Sequence, residues 1–297
     1  MNFQEGEVLY FNKPLHWTSF DLVNKARYLV RQFLGVKKVK IGHAGTLDPL
    51  ATGVLIVCTG KATKRIESFQ YQTKEYVATL KIGETTPSFD LETEVDATYD
   101  TSHITEELVK ETLGKFIGEI HQIPPKYSAV KINGKRAYEY AREGKDVEIK
   151  PKVLVIDEIE LVECSLPVVK IRVVCSKGTY IRALARDIGE ALNSGAHLTA
   201  LERTRIGDVS LSDCISMEQF EELLKQMRMI TIINPMKYHF QMDYYHLHHQ
   251  MDLHYLFHVE TQMDLVYVNF SFVNLHLMNL QMDYHFSFLS FTRGLSL

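Results

Sequence analysis

Apolar residues recur with two different periods between residues 6 and 230, and each period predicts an element. Gly6 to Phe11 reads as a short strand ended by Asn12-Lys13-Pro14. Thr18 and Asp21 then form a capping-box pattern. Behind it, Leu22, Val23, Ala26, Val30 and Phe33 share one helical face until Gly35 stops the helix. The runs Val36–Ile41 and Val54–Cys58 predict two strands around a loop. Gly60–Arg65 looks like a helix start, Val77–Gly83 like a strand with one wet face, and Thr105 like the cap of a helix ending at Gly114. Val153–Val162 and Val168–Cys175 predict two more strands. The turn Ser176–Thr179 follows, then a helix with Ile181, Leu184, Ala185, Ile188 and Leu192 on its apolar face. Met217–Met227 is the last helix. Between His197 and Arg205 the pattern predicts no element.

Two stretches depart from this texture. Gln122–Lys150 opens with Gln-Ile-Pro-Pro-Lys-Tyr-Ser, predicts a hairpin around Asn133-Gly134, and interleaves Lys135, Arg136 and Arg142 with Tyr138 and Tyr140. Cations that meet phosphates and rings that stack on bases suit RNA. A surface hairpin followed by an amphipathic helix fits the same residues. From Thr231 onward, Gln-Met-Asp recurs at Gln241, Gln250, Gln262 and Gln281, and eight of the thirteen histidines lie there. The repeat is too uneven for a solenoid and offers no regular metal-ligand spacing. Residues 231–297 are therefore expected to be a poorly ordered low-complexity tail that carries no function.

Composition adds class limits. At 297 residues, with 45% hydrophobic and 24% charged, the chain is ordinary globular protein. The formal net charge is -4; removing the tail's two basic and five acidic residues leaves 31 basic against 32 acidic. Net charge therefore selects no partner, and local clusters must. Cys58, Cys164, Cys175 and Cys214 are too scattered for a zinc site and fit reduced thiols. The start Met-Asn-Phe-Gln-Glu-Gly-Glu lacks a secretory signal, and no apolar segment is long enough to span a bilayer, so a cytoplasmic protein without membrane contact is expected.

The candidate chemistry centres on Lys40–Gly53, with Asp48 near its middle. Gly42, Gly45 and Gly53 admit positive φ or close backbone approach, and Pro49 fixes φ just after the acid. In isolation this is also an Asp-Pro turn. Lys37, Lys38 and Lys40 read either as a solvated surface or as a phosphate grip, and His43 as a core histidine. Tyr180 and Arg182 fall off the apolar face of their helix, free to point into a cleft; an exposed surface charge is the ordinary reading of such an arginine.

Taken together, several ordered blocks resemble the bacterial TruB family of tRNA pseudouridine synthases. They are Asn12-Lys13-Pro14 with Thr18-Ser19, Gly42-His43-Ala44-Gly45-Thr46-Leu47-Asp48-Pro49-Leu50-Ala51-Thr52-Gly53, and Lys74-Glu75-Tyr76. Gln122-Ile123-Pro124-Pro125 with Tyr127-Ser128-Ala129 follows, then Ser176–Arg182 with Ala185-Arg186-Asp187, and Leu201-Glu202-Arg203-Thr204. His16 stands where the family usually has glycine and Glu202 where a basic residue is common, departures expected to strain a turn and to weaken a phosphate contact.

The resemblance implies an α+β pseudouridine synthase fold: a central mixed, mainly antiparallel sheet flanked by helices, with residues 1–230 as catalytic domain and 122–150 as a thumb-like RNA clamp. It implies isomerisation of uridine to pseudouridine in the T-loop of tRNA, at position 55, by a monomer without cofactor or metal. Asp48 would drive departure of the base, by attacking the sugar or by removing a sugar proton. Arg182 would hold Asp48 as its charge partner, Tyr76 stack on the base, Tyr180 line the pocket, Leu201 pack against the base, and His43 fill the space it leaves in the RNA. Two competing readings are a non-catalytic tRNA-binding or folding module, and a hydrolase releasing uracil. A uridine methyltransferase fits less well, because no cofactor-binding glycine loop is present.

Overall fold

The structure is a computed structural model and describes residues 1–128, 130–132, 134–145, 147–233, 254–260, 265–271 and 285–286. In chain order the elements are β1 (Val8–Lys13), α1 (Ser19–Leu34), β2 (Ile41–His43), β3 (Ala51–Thr59), α2 (Ile66–Tyr71), β4 (Lys74–Ile82), β5 (Glu84–Thr85), β6 (Ala97–Thr98), α3 (Glu106–Gly114) and β7 (Gly118–Gln122). They continue with β8 (Lys131–Ile132), β9 (Lys135–Arg136), α4 (Ala137–Arg142), β10 (Lys152–Ser165), β11 (Val168–Cys175), α5 (Ile181–Ala191), β12 (Ala196–Ile206), β13 (Val209–Ser210) and α6 (Met217–Ile233). The strands β14 (His254–Glu260), β15 (Leu265–Ser271) and β16 (His285–Phe286) complete the chain.

Residues Met1–Lys225 and Gln226–Leu297 are two compact units. In the first, nine strands make one sheet with the order β1-β3-β12-β4-β11-β10-β7, to which β2 adds beside β3 and β13 beside β12. All pairings are antiparallel except β12 with β3, so the sheet is mixed and mainly antiparallel. In the second, β14, β15 and β16 form an antiparallel sheet where the sequence predicts no element. The Gln-Met-Asp repeats lie outside the described residues.

Local signals explain several elements. Thr18 caps α1 through its side chain and Asp21 closes the capping box, while Gly35 ends the helix in the left-handed region at φ 66. Burial in β4 alternates residue by residue, with Lys74, Tyr76, Ala78, Leu80 and Ile82 inward. On that inward face, β4, β10 and β11 pack under α3 and α5 in one apolar core that also takes in Leu47 and Ala51. A smaller core gathers Ala44, Val54, Ile56 and Cys58 with Phe69 and Ile206. Phe3, Phe11 and Phe220 meet edge to face and anchor the start of α6.

Two expectations need correction, and a third is met. The run before the candidate loop gives only the three-residue β2, and β3 starts as early as Ala51, so the loop spans just residues 44–50. The segment with no predicted element is β12, eleven residues at the centre of the sheet, and the polar edge strand β7 also went unmarked. In the 122–150 insertion, β8 and β9 do pair as a hairpin and α4 follows; Asn133 lies outside the described residues.

Candidate active site

The loop at 44–50 is tied down at each end and in its middle. Ala44 N–H donates to Ile56 O at 2.9 Å, and Ala51 N–H to Asp48 O at 3.1 Å. The buried Ser19 hydroxyl serves both backbone groups of Leu47, donating to its carbonyl at 3.0 Å and accepting from its N–H at 2.8 Å. From below, the fully buried Arg203 donates to Val54 O at 2.8 Å and Gly45 O at 3.2 Å. Gly45 has φ 102 and Gly53 φ 105, so both use the conformational freedom that only glycine has.

A second turn braces the first. Lys13 is buried, and its ammonium donates to Pro14 O at 2.8 Å and Trp17 O at 2.6 Å, which closes residues 14–17 over it. His16 N–H then donates to Pro49 O at 2.8 Å, beside Asp48. His16 has φ 65, so the expected strain at the position where the family has glycine is present. Burial lowers the Lys13 pKa to about 8, partly offset by the charge of Asp48 and reinforced by that of Arg203.

Asp48, held this way, keeps its carboxylate 40% exposed in the lining of an open cleft. Leu50, Ala51, Asp90, Leu91, Arg182 and Leu201 are among its lining. Arg182 is buried rather than a surface charge. Its Nε lies 2.9 Å from Asp48 Oδ2 and 3.5 Å from Asp90 Oδ2, while the other nitrogens donate to Ser88 O at 3.1 Å and Tyr127 O at 2.9 Å. The Nε–H is not aligned with either carboxylate as a hydrogen bond, so the attraction to Asp48 is ionic. Sequence reasoning missed Asp90. It sits in a loop with no periodicity, after Phe89 at φ 62, and only the folded chain brings it to Arg182.

The remaining candidates surround the cleft. Leu201 lines it, and in β12 it stands opposite Ala51 of β3 and Ala78 of β4. Tyr76 is buried on β4 opposite Arg203; desolvation raises its phenol pKa, with Asp48 near enough to add to that rise. Tyr180, at the N-cap of α5, has its pKa raised by burial first and also feels Asp48 and Arg182. Both rings are neutral at physiological pH. His43 ends β2, and burial lowers its pKa, leaving a neutral imidazole at neutral pH. His43, Tyr76 and Tyr180 are not among the residues lining the cleft itself.

The Lys74-Glu75-Tyr76 block has a divided role. Lys74 points inward and donates to the carbonyls of Gln70 and Gln72 at the end of α2, whereas Glu75 points outward and pairs with Arg172 at 3.0 Å and Arg205 at 3.3 Å. Thr204 also donates to Glu75, at 2.8 Å. These contacts tie β4 to β11 and β12 on either side of Tyr76.

A family model described as "TruB family pseudouridylate synthase (N terminal domain)" matches residues 31–181, and "tRNA pseudouridylate synthase B C-terminal domain" matches residues 182–241. The chain is 72% identical over 234 residues to "tRNA pseudouridine synthase B" of Phocaeicola vulgatus, which covers 79% of this chain and 100% of that protein. The chain belongs to the TruB family. Like other TruB-family chains, it is also similar to the protein so named in Flavobacterium johnsoniae, at 55% identity over 74% of this chain and 97% of that one. Among solved structures, it resembles a chain of the "H/ACA RNP bound to a substrate RNA containing 2'-deoxyuridine", with TM-score 0.56 and 26% identity over 77% of this chain and 56% of that chain. The TruB C-terminal match begins at Arg182 and reaches into the segment after Thr231.

Proposed function

We propose that this protein isomerises uridine to pseudouridine in the T-loop of tRNA, at position 55. The observation that carries the reading is Asp48, partly exposed in the lining of the open cleft and 2.9 Å from the buried Arg182. In the reaction the C1′–N1 bond breaks, the uracil turns, and C1′ bonds to C5; the C5 proton is lost and N1 gains one. Nothing is oxidised and no phosphate is transferred. Asp48 drives departure of the base, and Arg182, its charge partner at 2.9 Å, aims the carboxylate. The flipped ring enters the open cleft beside Asp48, between Leu50, Leu201 and Arg182. Leu201 packs against that ring from the cleft wall; Tyr76 and Tyr180, which stand outside the cleft lining of the RNA-free chain, stack on the base and line its pocket once RNA is bound, and His43 takes the base's former place in the RNA. Stacking and apolar contact offset the few kcal/mol that flipping costs.

Residues 1–230 act as the catalytic domain, residues 122–150 clamp the T-arm, and residues 231–297 are dispensable. The enzyme works as a monomer in the cytoplasm; among the described residues no helix is long and apolar enough to cross a membrane. The test incubates the full-length protein with a T-arm stem-loop RNA and, separately, an anticodon stem-loop RNA, followed by nucleoside mass spectrometry. Pseudouridine in the T-arm RNA alone is the expected result. Tight binding without modification would establish the non-catalytic module, and free uracil the hydrolase.

A further inference from the structure

We propose that Gln122, the last residue of β7, is a positioning residue for the reaction, one that sets the Arg182–Asp48 geometry from the root of the 122–150 insertion. This rests on the roles given above to Asp48, Tyr180 and Arg182. Gln122 is fully buried, and its amide is spent on one residue: Oε1 accepts from Tyr180 N–H at 2.9 Å and Nε2 donates to Tyr180 O at 3.2 Å. Tyr180 is the N-cap of α5, and its own side chain makes no capping hydrogen bond to the helix. The start of α5 is therefore held from outside, by a side chain on the far edge strand of the sheet.

Neighbouring contacts repeat the connection. Arg182 donates to Tyr127 O at 2.9 Å, and Arg186 donates to Ile123 O at 3.2 Å. Arg186 also lies over the Phe89 ring at 4.9 Å, next to Asp90, the second carboxylate on Arg182. Residues 122–128 thus hold Tyr180, Arg182 and Arg186 together, and the Gln122 side chain fixes the helix backbone two residues before Arg182. Because reacting groups must be held to within a fraction of an ångström, loosening this anchor lowers the rate without removing a substrate contact.

The test uses full-length Gln122→Met, similar in length but without hydrogen-bonding atoms, and Gln122→Glu, which keeps the acceptor for Tyr180 N–H. Single-turnover rate at saturating enzyme, Kd for the T-arm stem-loop RNA and melting temperature are measured for each. Gln122→Met is expected to react about tenfold more slowly with Kd within about twofold of wild type, and Gln122→Glu to recover most of that loss. Should Gln122→Met not fold, Gln122→Asn, polar but too short to reach, carries the same expectation. An unchanged rate, a loss confined to Kd, or equal loss in rate and binding with a lowered melting temperature overturns the proposal. Absence of pseudouridine with the wild-type protein would instead refute the functional reading on which it rests.

Discussion

Gly53→Ala should be among the most damaging single-methyl additions in the chain, and the reason is geometric. Gly53 closes the parallel pairing of β3 with β12, opposite Arg203. A Cβ built there would lie 2.2 Å from Arg203 O, 2.7 Å from Arg203 N and 2.9 Å from Arg203 C, all backbone atoms that no rotamer change can remove. Reaching even 3.0 Å requires the strands to part by roughly 0.8 Å. Alanine at φ 105 adds backbone strain of about 1–3 kcal/mol, and overpacking about 1–3 kcal/mol more. Stability should fall by about 3–5 kcal/mol in urea unfolding. The displaced pair carries Arg203, which holds Gly45 and so the Asp48 loop; a shift near 1 Å should cost the folded fraction about 100-fold in single-turnover rate. Gly35→Ala is the control: φ is also positive, at 66, but nothing lies within 4 Å, so only the left-handed penalty of about 1–2 kcal/mol applies. Gly53→Ala within about 1 kcal/mol of wild type, or no worse than Gly35→Ala, would refute this reasoning.

Further predictions concern the turn beside Asp48. Lys13 has a folded-state pKa of about 8 against 10.5 unfolded, so between these values the unfolded chain binds more protons and stability contributed at this site rises with pH. Lys13→Met removes that dependence: the stability difference between wild type and variant, from urea titrations at pH 7.5, 9 and 10, should shift in favour of wild type as pH rises, and a pH-independent difference would contradict it. His16→Gly relieves a left-handed non-glycine residue at an entropic cost, for a net stabilisation of under about 1 kcal/mol, visible as a small rise in melting temperature. A lowered melting temperature would show that the histidine side chain makes a contact worth more than the strain.

How far the sequence reveals the fold depends on how local each cause is. α1 is legible because its cap, apolar stripe and terminating glycine lie within eighteen residues of one another. β12 is not: two register irregularities against β4 interrupt its alternation, and the fully buried Arg203 reads as surface in a one-dimensional pattern. β7 is polar because it is an edge strand, so it carries no apolar signal. The same division runs through the site. The glycine-framed Asp48 is visible in the sequence, and the ordered blocks tie Tyr76, Tyr180, Arg182 and Leu201 to it. The burial of Arg182, by contrast, comes from carbonyls 94 and 55 residues away, and Asp90 joins it only through the folded loop before β6. Long-range closure of this kind leaves no periodic trace.

The central claim is that the Asp48 carboxylate does the chemistry while the rest of the site holds it and the RNA. The most direct test is the single-turnover rate of pseudouridine formation in Asp48→Asn, measured with the RNA Kd on the same T-arm stem-loop. A rate lower by about 10³-fold or more with Kd unchanged is the predicted result; pseudouridine formed within about tenfold of the wild-type rate would contradict it.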